Sequence, residues 1–182
     1  NFSLESPIWI DEILSFYHSK GGSFTDFFDQ TNSGLNRMPP FYFMLAKLVF
    51  SEESFIFNAR ILSIFFSALT FFYLFKICKF WLDWSISFFL SSLTLFSSAL
   101  FLHYSFEARP YSMCLMFLTM FSFLIIRHEH KLQITFYDYL FLGLTCFMLP
   151  ASHYVYGLSA FVLGLSHIIF TQKNKVRIII TY

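Results

Sequence analysis

Five apolar runs, 55–77, 84–104, 110–126, 136–151 and 154–170, fill most of the chain beyond its polar beginning. They constrain the fold more than any other feature. A bilayer core about 30 Å thick takes roughly 20 apolar residues as a helix, with a lower limit near 17. The first and second runs meet that length, and the third, fourth and fifth sit near its lower limit. Inside lipid each backbone N–H and C=O must be satisfied within the segment, so helices are the expected state. Composition points the same way. The chain is 57% hydrophobic and 13% charged, with 29 Phe among 182 residues, and its mean hydropathy is +0.61. A soluble domain of this size has too much surface for its volume to bury that much apolar area.

The polar part spans 1–54. Gly21-Gly22 and Asn32-Ser33-Gly34 mark turns. Ile10–Ser19 and Phe24–Gln30 are expected as short amphipathic helices at the interface. Pro39-Pro40 opens a run from Phe41 to Phe50 that is too short to cross, expected as an interfacial or re-entrant helix. Ser51-Glu52-Glu53-Ser54 offers a cap for the first span. Aromatic residues near span ends (Trp81, Trp84, Tyr104, Tyr111, Tyr137, Tyr139, Tyr154, Tyr156) fit an interfacial belt. Ser91, Ser92, Ser97, Ser98 and Ala99 give the second span a small-residue face for close packing. The expected fold is therefore all-α: a polytopic membrane helix bundle with interfacial helices in a first external loop (1–54) and five spans (55–177). The chain begins without Met and ends in a new apolar run (178–182), so it is expected to be a piece of a longer protein with a further span starting there.

The loops divide by charge. Lys76, Lys79, Arg127, Lys131, Lys173, Lys175 and Arg177 fall on one side, against three acids. The other side carries five basic and eight acidic residues. The positive-inside rule makes the first side cytoplasmic. Asp11-Glu12, the Pro-Pro segment, Glu107-Ala-Arg109 and His153 then share the outer face. Net charge is +1, which gives no electrostatic footprint for nucleic acid. Cys78, Cys114 and Cys146 lie in apolar runs and read as small apolar residues rather than a disulfide or metal framework. His128-Glu129-His130 lacks the spacing of a zinc protease helix. No phosphate-cradling Gly-rich loop is present.

Each polar motif has two readings. Asp11-Glu12 is either a general base beside a second carboxylate or a helix cap with a first-turn acid. Arg37 is either a phosphate fork or a basic residue snorkelling at the interface. Glu107 and Arg109 either serve a phosphate leaving group, as ionisable groups at membrane depth commonly serve function, or brace the turn before Pro110. His153 is either a site residue or a hydrogen-bonded structural one.

The order of these motifs carries a resemblance. Trp9-Ile-Asp11-Glu12, Asn36-Arg-Met-Pro39-Pro40-Phe-Tyr42, Asn58-Ala-Arg60, His103-Tyr-Ser-Phe-Glu107-Ala-Arg109-Pro110-Tyr111 and Ser152-His153-Tyr154 together resemble the N-terminal half of bacterial membrane glycosyltransferases of the C superfamily. The similarity is to the family 39-like type, akin to protein mannosyltransferases and the aminoarabinose and galacturonic acid transferases of lipopolysaccharide. The resemblance implies inverting transfer of a sugar from a polyprenyl-phosphate donor to a lipid, glycan or protein acceptor, at the outer face of a bacterial inner membrane. It makes Asp11 the catalytic base with Glu12 beside it. It assigns Arg37, Tyr42, Glu107, Arg109, Tyr111 and His153 to the donor-phosphate and substrate cavity. Some relatives hold a divalent cation in the first loop, where Asp11, Glu12, Asp26 and Asp29 offer oxygen ligands, although no residue here requires one. Two positions depart from the pattern: Met38 stands where many relatives have His, and Phe106 where many have Gln. Arg37 is then the basic residue left to meet the phosphate, or the site is impaired. A polytopic transporter and a non-catalytic membrane scaffold are the alternatives.

Overall fold

A computed structural model describes Trp9, Ile10, Glu12, Ile13, Phe16, Tyr17, Pro39 and residues 41–49, 54–130 and 135–180. Among these the chain is all-helical. The helices are α1 (Phe41–Val49), α2 (Phe55–Cys78), α3 (Trp84–Phe96), α4 (Ala99–Ser105), α5 (Tyr111–Glu129), α6 (Phe136–Ser152) and α7 (Tyr154–Ile180). Two of them, α2 and α5, are long and apolar enough to cross a membrane, and the bent pair α3–α4 makes a third if counted as one span.

The packing of α2 is inside-out relative to a water-soluble helix. Arg60, Ser63, Ser67 and Thr70 are buried, while Phe57, Ile61, Phe65 and Phe72 form an exposed stripe at near-helical spacing. Exposed apolar stripes of this extent are rare on soluble monomers. In lipid, by contrast, small and polar residues gather between helices. The Ser67 and Thr70 hydroxyls donate to the carbonyls of Ser63 and Phe66, so burial leaves neither unsatisfied. The α2–α5 pair is the most extensive contact among the described helices. Its core joins Phe66 of α2 to Met113, Met116, Met120 and Leu124 of α5, and α1 closes one end with Tyr42 and Phe43.

The second expected span is not straight. The chain bends by 81° between α3 and α4. Ser98 adopts an extended conformation and its hydroxyl accepts from the Phe101 N–H. Serine competes well for this N-cap role. Ser97 closes α3, its N–H donating to Leu93 O. The small-residue face that predicts packing is also the place where the helix breaks. At the other end, α7 continues as helix past Phe170, where the sequence predicts a stop; Gln and Lys are good helix formers and carry it on.

Side-chain caps start α3 and α6, whereas Ser54, expected to cap the first span, holds the N-cap position of α2 without a side-chain cap bond. Asp83 accepts from Ile86 N–H at the start of α3. Thr135 and Asp138 form a reciprocal capping box on α6, and Asp138 also pairs with Arg127 of α5 at 2.7 Å. Pro150 lies inside α6, and Gly157 of α7 meets it so closely that a Cβ there would lie 2.8 Å from Pro150 Cα and Cβ. Gly157→Ala is expected to destabilise the protein by about 1–3 kcal/mol through overpacking, outweighing a gain of up to about 1 kcal/mol in helix propensity. Denaturant unfolding in detergent measures this. An unchanged midpoint would mean that α6 and α7 separate without penalty.

Candidate functional site

Glu12, Arg60 and the Glu107–Arg109 turn come together near the start of α2. Helix α2 presents Arg60 and Ser63 one turn apart on its buried face. Both reach the turn between α4 and α5. Ser63 Oγ donates to the Glu107 carbonyl at 2.7 Å. Arg60 reaches the same turn through Glu12. Its Nε donates to Glu12 Oε1 at 2.9 Å and its Nη2 to Oε2 at 2.6 Å. Glu12 Oε1 also accepts from Ala108 N–H at 2.8 Å, and Oε2 from Trp9 N–H at 3.1 Å. The Trp9 bond is half of a capping box, with Trp9 at the N-cap and Glu12 three residues on. The Glu12 side chain is fully buried and Arg60 is 2% exposed. Burial alone would raise the Glu12 pKa, but the bonds from Arg60, Ala108 and Trp9 outweigh it and hold the carboxyl below its usual range. With a donor pair on each oxygen, this carboxylate is built to hold position rather than to take a proton.

Tyr42 of α1 is buried in the same region. Its hydroxyl lies beside Ser63 without the geometry of a formed hydrogen bond to any described residue. Burial pushes the phenol upward, so Tyr42 stays protonated and can donate. Glu107 and Arg109 are each 6% exposed. Glu107 Oε2 lies 3.7 Å from His103 Nε2, and the His103 ring packs edge-on to Trp9 at 5.6 Å.

Arg109 turns toward an aromatic cluster. Its Nη2 donates to Tyr111 Oη at 3.3 Å, and its guanidinium lies 5.5 Å from the Tyr111 ring centre. Tyr111 is 4.3 Å from Tyr104 and 5.7 Å from His153, which is 5.5 Å from Tyr156. Tyr104, Tyr111 and Tyr156, with Ser98 and Ser112, line a cavity of about 180 Å³. The Ser112 hydroxyl is buried with no hydrogen-bond partner among the described residues. A second, apolar groove of about 320 Å³ runs between α2 and the α3–α4 elbow, walled by Ile64, Phe71, Leu95 and Phe96. The two share Ser67, Phe101 and Ser105 as lining, so a hydroxyl-rich chamber adjoins an apolar one.

His153 closes α6, and its Nδ1 accepts from the Val155 N–H at 3.3 Å. That bond requires an unprotonated Nδ1. Partial burial, and then the charge of Arg109, lower the His153 pKa below 6.5. The unfolded chain therefore binds the proton more readily than the folded one. The His153 contribution to stability is present above about pH 6.5 and is lost as pH falls from there through the lowered folded value. A His153→Asn variant is expected to lose that part of the pH dependence between pH 7 and 5. An unaltered profile of unfolding midpoint against pH would remove the assignment.

Of the residues singled out in the sequence, Glu12, Tyr42, Glu107, Arg109, Tyr111 and His153 are brought into this one region. Asp11 and Arg37 lie outside the described residues, as do Asp26 and Asp29. The sequence assigns no role to Arg60, Ser63 or Ser112, and places Tyr156 only in the aromatic belt. Arg60 carried a usable signal, since it is a charged residue inside an apolar run. Among the described residues no group of three or more His, Cys, Asp or Glu side chains is placed to hold a metal ion. Over its described residues the chain is thus all-helical, with two or three membrane-length helices and a buried charged site. No protein-family model, curated protein or solved structure matches it.

Proposed function

We propose that this chain belongs to a polytopic membrane glycosyltransferase, which moves a sugar from a polyprenyl phosphate to an acceptor hydroxyl at the extracytoplasmic face of a bacterial inner membrane. The observation that carries the reading is the pair of adjoining chambers, one of them lined by Tyr111, whose hydroxyl accepts from Arg109. A lipid-linked sugar phosphate needs a cation for its phosphate, hydroxyls and rings for its sugar, and an apolar path for its chain. Arg109 supplies the first, the tyrosines and serines around Tyr111 the second, and the groove at the α3–α4 elbow the third.

The chemistry asked of the protein is modest. An inverting displacement needs one general base on the acceptor and stabilisation of the departing phosphate. Asp11 is the base in this reading. The buried Arg109 meets the leaving charge in a setting with little water to screen it. Glu12 holds the loop rather than reacting. A transporter would place its ionisable residues near the middle of broken helices. Here Arg60 lies near the start of α2, and Glu107 and Arg109 lie in the turn before α5.

The test is a transfer assay with intact protein and a labelled polyprenyl-phosphate sugar. Label is expected to pass to acceptor, and Asp11→Asn to slow the transfer by about 10²–10⁴-fold. Transfer unaffected by Asp11→Asn would end the base assignment and fit a scaffold that tolerates its loss. Solute uptake into vesicles without any transfer would favour a transporter.

A further inference from the structure

We propose that Arg60 is a positioning residue whose ion pair with Glu12 straps Trp9 and Glu12 to the turn carrying Arg109, and so holds that turn in register with α2. The chemical half of this inference rests on the transferase reading; the structural half does not.

The strap joins parts of the chain that sequence keeps far apart. Glu12 is 48 residues from Arg60 and 96 from Ala108. One carboxylate gathers a guanidinium from α2, a backbone N–H from the α4–α5 turn and a backbone N–H from its own helix start. The guanidinium engages both oxygens side by side, a planar arrangement that fixes orientation as well as distance. Ser63, one turn further along α2, holds the carbonyl of Glu107, the residue before Ala108. Arg109 N–H in turn donates to that same carbonyl at 2.8 Å. The backbone on both sides of Ala108 is thereby tied to α2, and Arg109 is the next residue. Buried ion pairs are often no more stabilising than well-packed apolar residues of similar size. A fully buried pair with every oxygen engaged is thus better explained by the register it imposes than by stability.

Removing both charges together separates the two roles. Glu12→Leu/Arg60→Met removes both members of the buried pair together and is expected to fold. The Trp9–His103 ring contact gives a readout independent of catalysis. Trp9→Cys and His103→Cys are introduced with the three native cysteines replaced by alanine, and cross-linking by a short bifunctional thiol reagent is timed. In the strapless double variant the cross-link is expected to form roughly tenfold more slowly, the equivalent of about 1.4 kcal/mol of lost positioning. Without the added cysteines, the same variant is expected to lose about 10²-fold in kcat with little change in KM for the donor. A folded double variant that cross-links at the unsubstituted rate overturns the strap. If that variant fails to fold, Arg60→Lys keeps the charge but not the fork, and an unchanged cross-linking rate there overturns it equally. Absence of transfer by the unsubstituted protein would sink the transferase reading while leaving the cross-linking result to decide the strap.

Discussion

Glu12→Ala is expected to lower unfolding stability by about 3–5 kcal/mol, the loss typical of breaking one side of a buried ion pair. The loss comes from what remains. Arg60 is 2% exposed, and without Glu12 its Nε and Nη2 lose the carboxylate that faces them while staying out of water. The Ala108 N–H loses its acceptor as well, and an orphaned buried donor costs about 1–3 kcal/mol. Reversible unfolding in detergent micelles measures the sum. A pH series adds a signature. The folded Glu12 carboxyl lies below its ordinary value of 4.5. Its stabilising contribution is therefore complete above about pH 4.5 and is lost as pH falls through the lowered value. Glu12→Ala should remove that acid-side slope. A loss under about 1 kcal/mol, within the range of an exposed pair, would show that water reaches the pair.

Arg109→Ala is expected to reduce transfer by about 10²–10³-fold, the scale seen when one stabilising donor for developing charge is removed. The effect should fall mainly on kcat, because the phosphate carries more charge as the sugar leaves than when bound. Arg109→Lys should recover part of the rate: the charge returns, but the planar fork and its stacking on Tyr111 do not. Initial rates with labelled polyprenyl-phosphate sugar provide the check. Equal rates for Arg109→Ala and unsubstituted protein would move the leaving-group role elsewhere.

The long apolar helices were legible because length and apolarity are local properties; α2 begins at Phe55 and ends within a residue of the predicted boundary at Ile77. The α3–α4 bend was not, because Ser97 and Ser98 serve equally as packing residues and as a stop and a cap, and only tertiary context decides between them. Glu107 and Arg109 could be read together since they are two residues apart. The Glu12–Arg60 pair could not, since no spacing rule links positions 48 apart. The cap reading of Glu12 and its place in the site turned out compatible: the same carboxylate caps its helix through Trp9 and bridges to Arg60. The aromatic residues expected in a belt divide by which way they face. Trp81, Trp84, Tyr137 and Tyr154 face outward, whereas Tyr104, Tyr111 and Tyr156 turn in to line the cavity; position near a helix end does not say which way a ring points.

On the proposed function, the elbow between α3 and α4 would set how the lipid-linked donor arrives. Its groove is apolar and half open, flanked by the exposed ring of Phe96. A molecule whose hydrocarbon chain lies there approaches by diffusion in two dimensions. Its encounter rate then scales with its mole fraction among the lipids, and diluting the bilayer with inert lipid slows the reaction even when the amount of substrate per volume of sample is held constant.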